Sequence, residues 1–441
     1  MDRRHFLSLA SFAGLSVASL DAFGRPQSRP GILTGGRTPV SAAYKGPVYI
    51  MINAGGGWDP TSLCDPKGAA SDMDPEAMNR SYLTKDIGTT PSGIKYAPLG
   101  SMDNPTYFQS FFEKFDKKLL VINGVDMATN GHDSGSRHTW SGRLAEGYPS
   151  FAALAAAVHG RDLPMSYLSF GGFDETMGEV ARTRSGNTQA LARIAYPDRM
   201  NPDDEASQFH SKASTDLILA AQNARKDRLL AREQLPRVQR AVGTMYASRT
   251  GSNELKKLQQ YLPADLDQSG NPLLRQIQVA MAAYRAGITV AVNLEIGGFD
   301  THGNHDDSHI PRLYQILEGL DFLDAEADRQ EIGDNYVVLV GSDFGRTPGY
   351  NDTNGKDHWA ITSVMAMGKG IKGGRVIGET TDRHDTKNID PKTLKPADSG
   401  IHIEPKHIHQ NLRRLAGIES DELMQFYPLS IDAADEMNLF G

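Results

Sequence analysis

Short apolar runs alternating with longer amphipathic stretches set the pattern of this chain. Residues 47–53 (PVYIMIN), 118–125 (KLLVINGV), 165–172 (MSYLSFGG), 289–300 (TVAVNLEIGGFD), 335–345 (NYVVLVGSDFG) and 360–368 (AITSVMAMG) carry nearly uninterrupted apolar positions. That is the mark of strands covered on both faces. Residues 107–115, the alanine-rich 151–159 and 404–415 read as helices. Over 311–330, Leu313, Ile316, Leu317, Leu320 and Leu323 recur at helical spacing and form one apolar face. From 173 to about 286 the texture changes to long charged helical stretches such as 215–234, which predicts a helical insertion. Strands alternating with helices predict an α/β fold, a mostly parallel central sheet with helices on both faces. In such sheets, functional residues gather in the loops beyond the carboxyl ends of the strands.

Composition changes this picture little. The 441 residues, 39% hydrophobic and 23% charged, suit a soluble globular chain with ample core. A net charge of −8 argues against nucleic acid as a partner, and an anionic ligand would need local cations or a metal to hold it. The single cysteine, Cys64, excludes both an internal disulfide framework and a thiolate metal cluster. The N-terminus says more. MDRRHFLSLASFAGLSVASLDAFG has paired arginines, Arg3 and Arg4, followed by a weakly apolar run of small residues. This reads as a twin-arginine-type export signal over residues 1–30, too short to leave a stable membrane span. The expected location is the periplasm or cell surface.

Four polar stretches follow predicted strands: AGGGWDPTSLCDP with Asp59, NGHDSGSRHTWSGR (130–143), GGFDTHGNHDDSH (297–309) and GSDFGRTPGYNDTNGKDHWA (341–360). They hold His132, His138, His302, His305, His309 and His358, six of the 13 histidines. If the strand rule brings these loops to one rim, imidazole nitrogens and carboxylate oxygens meet there without any thiolate. Such a donor set favours Zn or Mn over Mg. A bound ion of this kind polarises a phosphoryl or sulfuryl oxygen. The plainer alternative for each stretch is a solvated or capping loop.

GGFDTH, SDFGRTPGYNDTNGKDHW and MGKGIKGGRVIGET resemble the DUF1501 proteins, exported proteins of mostly unknown activity placed in the alkaline phosphatase and sulfatase-like superfamily. The resemblance spans nearly the whole chain after the signal. It implies that residues 31–441 form one alkaline phosphatase-like α/β sandwich, with the helical insertion at about 173–286. It also implies a hydroxyl or formylglycine nucleophile and usually two metal ions. By position, Asp59 resembles the acidic residue after the first strand of that superfamily. Asp300 with His302 or His305 resembles its later Asp/His pair, His358 its late histidine, and Asp343 the acidic residue of its Ser-Asp-His-Gly motif. This chain has Phe344 where that motif has a histidine, which weakens or removes the second metal, expected around Asp59 and Asp343.

Cys64 opens a stretch like the formylglycine signal, but Gly68 stands where arginine is needed, so Cys64 is read as a packed small residue. Ser134, Ser136 and Thr139 are the candidate hydroxyl nucleophiles, with His132 or His138 as base. Arg346 is a candidate oxyanion clamp. The expected activity is metal-dependent hydrolysis of a small anionic or glycan-linked phosphate or sulfate ester, with one ion or two. The alternative is a ligand- or partner-binding protein whose degenerate metal site supports no turnover.

Overall fold

The computed structural model describes residues 43–184, 195–196, 198–202, 204–250 and 255–441. The export signal expected over 1–30 lies outside them. Among the described residues no helix is long and apolar enough to cross a membrane.

Eight strands form the central sheet: β1 (Val48–Gly55), β2 (Leu120–Asp126), β3 (Tyr167–Ser169), β4 (Arg182–Arg184), β5 (Ala291–Gly297), β6 (Tyr336–Ser342), β7 (Ile361–Gly368) and β8 (Arg375–Ile377). Their order is β8-β2-β7-β6-β1-β5-β3-β4. Only β7 runs antiparallel to its neighbours, β2 and β6. The mostly parallel sheet expected from the apolar runs is therefore present. The edge strands β4 (RTR) and β8 (RVI) escape that reading because each is short and carries arginine, so neither shows an apolar run.

Alternate residues of β1 enter opposite cores. Val48, Ile50, Ile52 and Ala54 face one, while Tyr49 and Met51 face the other. The first core is closed by α1 (Tyr107–Phe115), α6 (Pro272–Arg285) and α7 (His305–Arg329). The second is closed by α2 (His132–Ser141), α3 (Phe151–His159) and α8 (Pro405–Leu415). Caps begin these helices where the sequence supplies them. Ser150 accepts from Ala153 N at the start of α3, and Asn271 accepts from Leu273 N ahead of Pro272 at the start of α6.

The stretch expected as a helical insertion does hold α4 (Lys212–Arg232), α5 (Pro236–Thr250) and α6. Two features differ from the expectation. It opens with edge strand β4, and α6 is a core helix packed on β5 and α7, since Leu273, Ile277, Ala280 and Met281 are all buried. In contrast, α4 buries none of its 21 residues. Outside that stretch the start of α7 also differs: it begins at His305, six residues before Pro311. Asn304 turns the chain in a left-handed conformation, and Asp306 and Asp307 occupy the first turn, where the helix dipole favours negative charge.

The registers keep the strand ends level, with Gly55 opposite Gly297 and Ala54 opposite Ser342. Beside this rim Glu295 on β5 accepts a hydrogen bond from Asn53 Nδ2 at 2.7 Å. Burial pushes its carboxyl up to about 7, against the opposing Asn53 bond. The unfolded chain gives up this proton near the ordinary carboxyl value, so stability falls as pH rises from there to about 7 and stays lost above. Glu295→Gln is accordingly expected to be more stable than wild type by about 1–3 kcal/mol at pH 8. Urea unfolding at pH 5 should show a much smaller gain, and an equal gain at both values would contradict the assignment.

Candidate metal centre

The rim collects side chains from four places. Asp300 follows β5, Asp343 follows β6, and His132 is the first residue of α2, in the connection after β2. His358 lies in a two-residue antiparallel ribbon opposite Arg346. His302 sits between the Asp300 turn and α7.

Three imidazole Nε2 atoms converge on the Asp300 carboxylate. His302 Nε2 and His358 Nε2 stand 2.9 and 3.1 Å from Oδ1, and His132 Nε2 stands 3.4 Å from Oδ2. Each ring is held from behind by its other nitrogen. His132 Nδ1 meets Asp343 Oδ2 at 2.9 Å, His302 Nδ1 meets Asp357 Oδ1 at 2.7 Å, and His358 Nδ1 meets the Asn130 carbonyl at 2.8 Å. Carbonyl and ionised carboxylate oxygens only accept, so each Nδ1 carries a proton, and a ring holding that one proton turns its Nε2 lone pair inward. The Nε2 atoms of His302 and His358 are only 3.0 Å apart. Two lone pairs and a carboxylate facing one point repel unless a cation or proton lies among them. Rings locked from behind by oxygen acceptors are the usual arrangement of metal-binding histidines.

The donors of His132, Asp300 and His358 all lie within 4.8 Å of one another. Nitrogen with carboxylate oxygen suits zinc or manganese, so the residues fit such an ion. Burial opposes ionisation of Asp300, yet the hydrogen bond and the charge of Arg346 outweigh it and hold the carboxyl at about 2. Burial pushes the Asp343 carboxyl up, while its bond to His132 works against that rise. Phe344 is fully buried and packs against the rings of His132 and His358 at 4.9 and 4.4 Å, fixing them from the core side.

Several expected site residues are engaged elsewhere. Arg346 is fully buried, its Nε on the Gly57 carbonyl, Nη1 on the Lys356 carbonyl, and Nη2 on the Gly56 carbonyl and Asp300. It positions Asp300 and has no open fork for an oxyanion. His138 bonds the Met127 carbonyl and Thr139 donates to the Ser342 carbonyl, so both are buried and dock α2 on the sheet. Ser134 bonds Thr129 Oγ1 and the Gly131 carbonyl in the first turn of α2. Ser136 lies one turn after His132 on the same helix face.

Asp59 and His305, expected as ligands, belong to a separate buried cluster with Lys356 and His309. Asp59 Oδ2 meets Lys356 Nζ at 2.6 Å and His305 Nε2 at 3.1 Å. Burial opposes the Asp59 charge, but the ammonium outweighs it and holds the carboxyl well below its ordinary range. Burial also pushes His305 and His309 down, which favours the neutral rings. The sequence reading missed Lys356 and the supporting oxygens of Asp357 and Asn130. Asp357 adjoins a candidate ligand and was legible by position. No hydrophobic period announces a buried lysine in a polar loop.

Residues 48–428 match the family model described as Protein of unknown function (DUF1501). The chain belongs to that family. No curated protein matches this DUF1501 protein. Among solved structures it is similar to the PsFucS1 sulfatase from Pseudoalteromonas sp., at 12% identity and a TM-score of 0.37, covering 90% of this chain and 72% of the other. Ps i-CgsB in complex with k-i-k-neocarrahexaose is similar at 9% identity and 0.37, covering 90% and 76%. A variant of the TAB5 alkaline phosphatase with Mg bound is similar at 11% identity and 0.32, covering 74% and 92%.

Proposed function

We propose that this DUF1501 protein is an exported, metal-dependent hydrolase of phosphate or sulfate esters. The supporting observation is the set of inward-facing Nε2 atoms around Asp300, each ring locked from behind. His132, Asp300 and His358 would hold the ion, with His302 beside them. Zinc or manganese bound there would supply Lewis-acid polarisation of the ester oxygen and activation of water. The chain's own residues do the positioning. Asp343, Asp357 and the Asn130 carbonyl fix the ring tautomers, Arg346 fixes Asp300, and Phe344 keeps bulk water from the core side of the rings. Ser136 is the hydroxyl of α2 best placed as a nucleophile, and a water molecule is the alternative. The substrate is a small anionic ester or an ester carried on a glycan, met outside the cytoplasm after export through the Arg3–Arg4 signal. Phe344, in place of an imidazole, favours a second reading in which the centre binds an anionic ligand without turnover.

The test is elemental analysis of the purified protein together with a panel of aryl phosphates and sulfates. About one ion per chain and turnover abolished by chelation and restored by zinc or manganese would support the hydrolase. Stoichiometric metal with tight anion binding and no turnover would select the second reading. A protein that takes up neither metal would overturn both.

A further inference from the structure

Within that metal-centre reading, we infer that Lys356 supplies a second, permanent cation: its ammonium stands beside Asp59 where a two-metal site would hold another ion, so each chain takes one divalent ion. The cluster around Asp59 is closed in hydrogen bonds and in charge. Asp59 Oδ1 accepts from the Thr61 amide at 2.9 Å and the Thr61 hydroxyl at 2.6 Å. Oδ2 accepts from Lys356 Nζ at 2.6 Å, faces His305 Nε2 at 3.1 Å and lies 3.3 Å from the Ser62 hydroxyl. Lys356 Nζ also donates to Asn79 Oδ1 at 2.9 Å, and both charged side chains are fully buried.

The proton positions follow from the backbone. The Asp59 amide donates to His309 Nε2 at 2.8 Å, so His309 carries its proton on Nδ1 and donates it to Thr301 Oγ1 at 3.0 Å. The Thr301 hydroxyl has one proton; its contact with His305 Nδ1 at 2.7 Å is much shorter than that with the Phe299 carbonyl at 3.4 Å, so it donates to His305 and leaves the His305 proton on Nε2, pointing at Asp59. Neither ring offers Asp59 a lone pair. Around Asp300 the three rings present lone pairs to the carboxylate; around Asp59 the corresponding groups present protons and an ammonium. One carboxylate and one ammonium make this cluster neutral, and a divalent ion added to a buried neutral site would carry uncompensated charge. Asp343 Oδ2 accepts from His132 and from the Gly56 amide at 3.1 Å, which ties this carboxylate to the Asp300 centre.

The experiment counts zinc per chain after loading with excess zinc and desalting, in wild type, Lys356→Met and the neutral pair Asp59→Asn/Lys356→Met. Removing only the ammonium leaves Asp59 uncompensated, and the Thr301 hydroxyl can then turn to the Phe299 carbonyl and free the His305 Nε2 lone pair, so Lys356→Met is expected to hold one ion more than wild type. The double variant is expected to hold the wild-type number. A double variant with one ion fewer would make Asp59 a ligand and overturn the inference, as would Lys356→Met with no gain. If the single variant does not fold, the double variant decides alone, since exchanging both partners for neutral groups is the milder change. A wild type without zinc would count against the hydrolase reading; the differences between variants still judge this one.

Discussion

Asp300→Ala is expected to empty the metal centre. Asp300 is the carboxylate on which the Nε2 atoms of His132, His302 and His358 converge. Without it, neutral imidazoles remain with no negative charge to offset a divalent ion. The same change leaves the buried Arg346 guanidinium with backbone carbonyls only. A stability loss of about 1–3 kcal/mol should follow, below that of a fully buried pair because the Asp300 carboxylate is half open to water. Asp300→Asn separates the two effects: its amide oxygen still accepts from Arg346, so most stability returns while the charge needed for the ion does not. Asp357→Asn, which weakens the bonds that Asp357 accepts from His302 and Asn351, is expected to weaken zinc binding by about 10–100-fold. Competition titration with a zinc indicator, beside urea unfolding of each variant, reads both quantities. Wild-type zinc affinity in folded Asp300→Asn would sink the ligand assignment.

The legible parts of this site are those governed by the sheet. Parallel strands covered on both faces must be apolar runs, and the runs at β1, β5, β6 and β7 stand out in the sequence. The rule that chemistry gathers beyond carboxyl ends then picked the loops from which Asp300, Asp343 and His358 come. What could not be read is which member of a loop turns inward. His302 and His305 are three residues apart in one polar stretch; the left-handed turn at Asn304 sends His302 to the rim and His305 into the first turn of a buried helix. Pro311 drew the expected helix start too late, which hid that turn. Lys356 pairs with an aspartate 297 residues away. Local patterning carries no trace of such a partner, and a lysine in a polar loop reads as solvated. The direction of β7 was equally hidden, because an apolar run looks the same parallel or antiparallel.

Gly135→Ala is the expected change that damages the site without touching a ligand. Glycine in a helix interior normally costs about 1 kcal/mol against alanine, so propensity alone makes this substitution stabilising. Packing opposes it. A Cβ on Gly135 would lie well inside 3.0 Å of the Asp343 carbonyl oxygen and 3.1 Å from the Phe344 ring. The Asp343 backbone has little freedom to yield. The Ser342 carbonyl before it accepts from Thr139, and the Ser342 hydroxyl accepts from the amides of Gly57 and Trp58 at 3.0 and 2.8 Å. Helix α2 must therefore shift outward, and His132, one turn earlier, leaves Asp343. Overpacking costs about 1–3 kcal/mol, so the net stability change is small or moderately unfavourable after the propensity gain. Zinc affinity should nonetheless fall by about 10–100-fold, because the bond that orients His132 is lost. Gly349→Ala is the control in the facing loop: a Cβ there meets nothing within 4 Å, and its zinc affinity should match wild type. If Gly135→Ala also binds zinc as wild type does, the close approach of α2 to β6 is not what aims His132 at Asp300.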